Sequence, residues 1–71
     1  MTVNYKPLWL LLIEKDMNKT DLAKVAIIST NAVAKMGKNG YVSLQTLEKI
    51  CIALECQLSD IIQIEEQRHA I

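Results

Sequence analysis

The chain has 71 residues, about half of them apolar, with eight basic and eight acidic side chains. That composition excludes a disordered chain, more than one domain and blanket attraction to a polyanion. At this size one core barely sustains a fold, so a second copy of the chain could supply extra burial.

The first element is announced by residues 8–13, LWLLLI. This run is far short of the roughly 18–20 residues that a membrane span needs. No basic segment precedes it and no small-residue cleavage site follows, so a signal peptide is not expected. The expected setting is cytoplasmic, with no membrane contact. Pro7 suits a first helical turn, and the helix is expected over about 7–15. One helix cannot bury all of such a run. Leu8, Leu11 and Leu12 form the expected inner face, with Leu10 exposed and Trp9 partly so.

Three later places share one pattern: an apolar residue, then Asn or Ser, then three residues, then an apolar residue. They are Met17-Asn18 with Leu22, Ile28-Ser29 with Val33, and Val42-Ser43 with Leu47. This is an N-cap flanked by a hydrophobic staple. It predicts helices over about 19–26, 30–36 and 44–54. Between the last two, GKNGY (residues 37–41) reads as a turn, with Gly37 the expected left-handed cap. Leu44, Leu47, Ile50, Cys51 and Leu54 share one face of the fourth helix. Ser59 is expected to cap a fifth helix over 60–66, carrying Ile61, Ile62 and Ile64, before a short tail over 67–71. No alternation of the β type persists, so the expected fold is all-α, a compact five-helix single domain.

Catalysis and metal binding have little foothold. Cys51 and Cys56 stand five residues apart, about 140° around a helix, so their thiols are expected to point apart as plain reduced cysteines. No Cys-x-x-Cys pair exists, and the single histidine, His69, lies in the tail. No metal, cofactor, small-molecule ligand or enzymatic activity is expected.

Charge is unevenly placed. Residues 15–40 carry Lys15, Lys19, Lys24, Lys35 and Lys38 against Asp16 and Asp21, a net of +3. Residues 41–71 carry Lys49 and Arg68 against Glu48, Glu55, Asp60, Glu65 and Glu66, a net of −3. The basic part holds two short helices joined by a tight turn, which is a helix-turn-helix. In that motif the second helix can enter the DNA major groove with its first turn at the base edges. Thr30 and Asn31 suit that place: both hydrogen-bond, and threonine offers a methyl group to thymine.

With these features the sequence resembles the Cro/repressor-type, XRE-like helix-turn-helix family of small bacterial and phage transcriptional regulators. The matching stretches are NKTDLAKVAIISTNAVAKMGKNG (18–40) and VSLQTLEKICIALECQLSDII (42–62). The resemblance spans about residues 5–64 and implies a double-stranded DNA-binding repressor-like dimer. It implies that Lys19 and Thr20 open the helix crossing the phosphate backbone. It places Thr30, Asn31 and Lys35 on the exposed side of the recognition helix, with Ser29 and Ala34 beside them. Lys38 and Asn39 fall in the following loop, which commonly touches phosphate.

Two positions depart from the family pattern. Ile27 stands where the turn usually has glycine, and Lys19 stands where glutamine is common. A homodimer is expected through the C-terminal helix and tail, using Ile61, Ile64 and Ile71. The alternative reading, from another class, is an antitoxin-like or adaptor module. Such a module keeps the fold, reads few or no bases and docks a protein on Trp9 and Leu10.

Overall fold

The computed structural model describes residues 2–65. In chain order these form strand β1 (Thr2–Asn4), helices α1 (Lys6–Glu14), α2 (Lys19–Ala26), α3 (Thr30–Gly37) and α4 (Leu44–Leu54), a 3-10 turn (Leu58–Asp60) and strand β2 (Gln63–Glu65).

The helix starts follow the caps read from the sequence. The Asn18 side chain accepts from Asp21 N at 2.8 Å, and the Asp21 carboxylate accepts from Asn18 N at 3.1 Å, closing a reciprocal pair. Ser29 Oγ accepts from Ala32 N, and Ser43 Oγ accepts from Thr46 N, each at 3.1 Å. Each bond satisfies a backbone donor that the first helical turn would otherwise leave free.

The helix ends are a different matter. All four close through a residue in the left-handed region, and none of these is glycine: Asp16, Ile27, Asn39 and Glu55, with φ between 52° and 59°. The next residue donates back across each end: Met17 N to Leu12 O, Ile28 N to Ala23 O, Gly40 N to Lys35 O and Cys56 N to Cys51 O, at 2.8–3.1 Å. These are Schellman closures. The expectation that Gly37 caps α3 is therefore corrected. Gly37 is the last helical residue, no glycine has a positive φ, and Asn39 makes the turn two residues later. Asparagine tolerates that conformation because its short polar side chain hydrogen-bonds locally.

Ile27 does keep the left-handed backbone of the turn, at φ 55° and ψ 54°. A side chain with a Cβ costs about 1–2 kcal/mol there. Ile27 is 79% exposed, so little packing offsets that strain. Ile27→Gly is expected to raise the unfolding free energy by about 1 kcal/mol, after glycine's larger chain entropy is subtracted. Urea unfolding reads this directly, and equal or lower stability would refute the strain.

The core draws on β1, the four helices and Ile61. Tyr5, Leu8, Leu22, Met36, Ile50 and Ile61 are fully buried, with Leu12, Ala26, Val33, Leu47 and Leu54 nearly so. Leu11 and Trp9 pack partly against this cluster, and Leu10 is exposed. The buried Tyr5 hydroxyl donates to Gly40 O at 2.7 Å, tying the start of α1 to the loop after α3. Burial pushes the Tyr5 phenol above its usual range, so it remains a donor. Gly40 has no room for a side chain, since a Cβ would stand 2.7 Å from Lys35 Cγ.

Beyond α4 the structure departs from the sequence reading. No fifth helix forms over the described part of 60–66. The chain makes a 3-10 turn, and β2 then pairs antiparallel with β1, Thr2 opposite Glu65, Val3 opposite Ile64 and Asn4 opposite Gln63. The domain is thus not all-α. The buried Asn4 side chain joins both strands and α1, donating to Glu65 Oε2 at 2.6 Å and accepting from Lys6 N at 3.1 Å. Ser59 lies inside the 3-10 turn, where the Asp60 carboxylate accepts from Gln57 N. Ile61 is core, not a dimer surface. Ile64 is exposed on β2, and Ile71 lies outside the described residues.

Cys51 and Cys56 do not point apart. The helix ends between them, Glu55 reverses the chain, and both cysteines line one cleft. Burial raises each thiol above its usual value, and both are free cysteines.

Candidate nucleic-acid interface

Helices α2 and α3 are joined by Ile27, Ile28 and Ser29 alone. Leu22, Ala23 and Ala26 on α2 and Val33 and Met36 on α3 are buried, which fixes the two helices on the core and turns the rest of α3 outward. Ser29, Thr30, Asn31, Ala34, Lys35, Lys38 and Asn39 are all exposed, as are Lys19 and Thr20 at the start of α2. Along α3, Thr30 and Ala34 form one row and Asn31 and Lys35 the next, each pair one helical turn apart.

A cleft beside α3 brings Ser29, Asn31 and Lys35 together with Tyr41, Ser43 and Thr46. The other sequence-derived residues lie outside it. Tyr41, Ser43 and Thr46 were absent from the sequence-derived site. The Ser43 cap locates the start of α4, but nothing in the local pattern says that this start faces α3. Tyr41 has no periodic partner at all.

Lys19 is placed differently again. Its ammonium sits 4.6 Å from the centroid of the Trp9 ring on α1, in cation–π geometry. A Cβ on Gly37 would stand 3.2 Å from Lys19 Nζ, so the ammonium also lies at the C-terminal end of α3. With α3 about 12 Å long at 1.5 Å per residue, Lys19 and the Thr30–Asn31 turn mark opposite ends of it. Lys38 and Asn39 follow at the same end as Lys19.

The arrangement suits a polyanion with readable edges: small polar groups at one end of an exposed helix and ammonium groups at the other. Among the described residues no cluster of three or more His, Cys, Asp or Glu side chains has metal-binding geometry. No helix among them is long and apolar enough to cross a membrane.

Comparison with known proteins shows the family and the fold. A family model described as the Cro/C1-type HTH DNA-binding domain matches residues 7–67. An uncharacterized HTH-type transcriptional regulator of Bacillus subtilis (strain 168), YozG, is 42% identical over 55 residues. That match covers 75% of this chain and 66% of YozG, just under two thirds of its length. Among solved structures, the crystal structure of transcriptional regulator VanUg (form II) superposes with a TM-score of 0.83 at 45% identity. It covers 87% of this chain and 83% of that one.

Proposed function

This chain belongs to the Cro/C1-type helix-turn-helix DNA-binding family, and from that premise we propose that it is a sequence-reading, repressor-like transcriptional regulator. Helix α3 enters the major groove with its N-terminal turn foremost. Thr30 and Asn31 meet base edges, and Ser29, Ala34 and Lys35 flank them. Lys19, Thr20, Lys38 and Asn39 hold the sugar-phosphate backbone.

The observation that carries this reading is the α2–α3 unit itself. Its two helices are locked to the core by their apolar faces, while the outward face of α3 is small, polar and basic. Two copies are proposed to bind as a homodimer, because one eight-residue helix reads few base pairs. A two-fold pair spaced one helical turn apart selects a palindrome and adds affinity. The C-terminal strand offers Ile64 to the second copy, since Ile61 is in the core.

Selection from a random duplex library is the test. The wild-type protein is expected to converge on a palindrome. Asn31→Ala is expected to relax preference at one position of each half-site, by about 1–3 kcal/mol of discrimination. Lys38→Ala is expected to weaken all sequences alike and to reduce the salt slope by about 0.9. No enrichment, with weak binding even at low salt, refutes the reading. The adaptor alternative then gains, favoured by the exposed Leu10 and Ile13 on α1, at 62% and 70% exposure.

A further inference from the structure

We infer that Trp9 is a positioning residue for DNA binding, its ring face and the bare backbone of Gly37 together forming a seat that holds the Lys19 ammonium against one phosphate. The inference rests on the DNA-binding function proposed above and goes beyond it in assigning Trp9 and Gly37.

Three helices meet at this point. Lys19 opens α2, Trp9 stands on α1, and Gly37 ends α3. A free lysine samples many rotamers, which a phosphate contact must freeze. Here the ammonium is already placed over an aromatic face at 4.6 Å. The ring is braced from below, since Trp9 packs partly on the core. It also stands at a tilt against Tyr5, with 6.4 Å between ring centroids. Tyr5 is in turn held by its hydrogen bond to Gly40. The chain of support therefore runs from the loop after α3 through two aromatic rings to the charge.

Gly37 completes the seat. Its φ is not positive, so backbone conformation does not call for glycine. The clearance is tight: a Cβ would approach Lys19 Nζ to 3.2 Å, and the ammonium would have to give by a few tenths of an ångström. The electrostatic logic is also clear. The C-terminal end of α3 is the negative pole of its helix dipole and would repel phosphate. An ammonium fixed there offsets that pole and makes this end of α3 attractive to the backbone.

The test uses the full chain and the duplex enriched by selection, at several salt concentrations. Lys19→Met is expected to lower the salt slope by about 0.9, one phosphate contact. Trp9→Leu is expected to weaken binding roughly two- to five-fold in the wild-type background. In the Lys19→Met background Trp9→Leu is expected to have no further effect. Trp9→Phe keeps an aromatic face and is expected to retain most of the affinity. Gly37→Ala is expected to weaken binding only when Lys19 is present, while thermal stability holds or rises from better helix propensity.

Trp9 is the only tryptophan, so its emission reports the seat without DNA. Lys19→Met is expected to change that emission in the free protein. Equal losses from Trp9→Leu in both backgrounds, or emission indifferent to Lys19, overturn the assignment while the DNA-binding reading survives. Failure of the wild-type protein to bind any duplex overturns both.

Discussion

Ile61→Ala is expected to lower the unfolding free energy by about 2–4 kcal/mol, from lost transfer energy plus the cavity left behind. Ile61 is fully buried, although it lies beyond the last helix. The 3-10 turn before it packs on both α1 and α4, and Ile61 N donates to Leu58 O at 3.1 Å. The side chain is thus delivered into the core beside α1 and α4. For a domain of this size, where total stability runs at roughly 0.05–0.15 kcal/mol per residue, such a loss removes a large part of the folded margin. Urea unfolding in dilute protein is the measurement. Ile64→Ala is the control, since that side chain is 61% exposed. It is expected to stay within about 0.5 kcal/mol, and to act on dimerisation instead. A loss below about 1 kcal/mol at Ile61 would remove it from the core.

Tyr5→Phe is the second large effect. The ring volume is unchanged, so no cavity opens. What is lost is the 2.7 Å bond to Gly40 O, which leaves a carbonyl short of its partner in a partly buried place. The expected cost is about 1–3 kcal/mol. The same bond anchors the loop that carries Lys38 and Asn39, so duplex affinity is expected to fall with stability. A thermal melt and a binding titration on one preparation check both. Unchanged melting would show that water replaces Tyr5 freely, and loop anchoring would then have to come from Gly40's fit against Lys35.

What was legible in the sequence is instructive in its pattern. The starts of α2, α3 and α4 were readable because each cap is stated twice, once by a side chain that accepts a backbone donor and once by the flanking apolar pair. The ends fell within one residue of their expected places, but the way they close was not readable, because they turn on Asp16, Ile27, Asn39 and Glu55 and not on the glycine that usually signals such a turn. Ile27 alone was marked, and only through its departure from a family pattern. The strands were invisible for a different reason. Three residues each are too few to display alternation, and Thr2–Asn4 finds its partner some sixty positions away. Ile61, Ile62 and Ile64 fit a helix as well as a strand until that partner is known.

The candidate interface divides along the same line. The Thr30–Asn31 turn and the basic bias of residues 15–40 could be read locally. The contact of Lys19 with Trp9, and the approach of Tyr41 and Thr46 to the cleft beside α3, arise only when helices pack. The Cys51–Cys56 pair shows the error that follows from extending a helix past its end, where a wheel projection no longer applies.

The pairing of β1 with β2 also bears on where this domain can be cut. The matched family segment begins at Pro7, yet Val3, Asn4 and Tyr5 before it are all buried. A fragment excised at that boundary keeps all but the first residue of the helices and both halves of the helix-turn-helix. It loses one strand of the sheet, the Asn4 bridge to Glu65, the buried Val3 and the phenol that pins the loop after α3. For grafting this domain onto another protein, the portable unit is therefore set by the sheet and not by the helices, and a fusion partner is best joined ahead of residue 2.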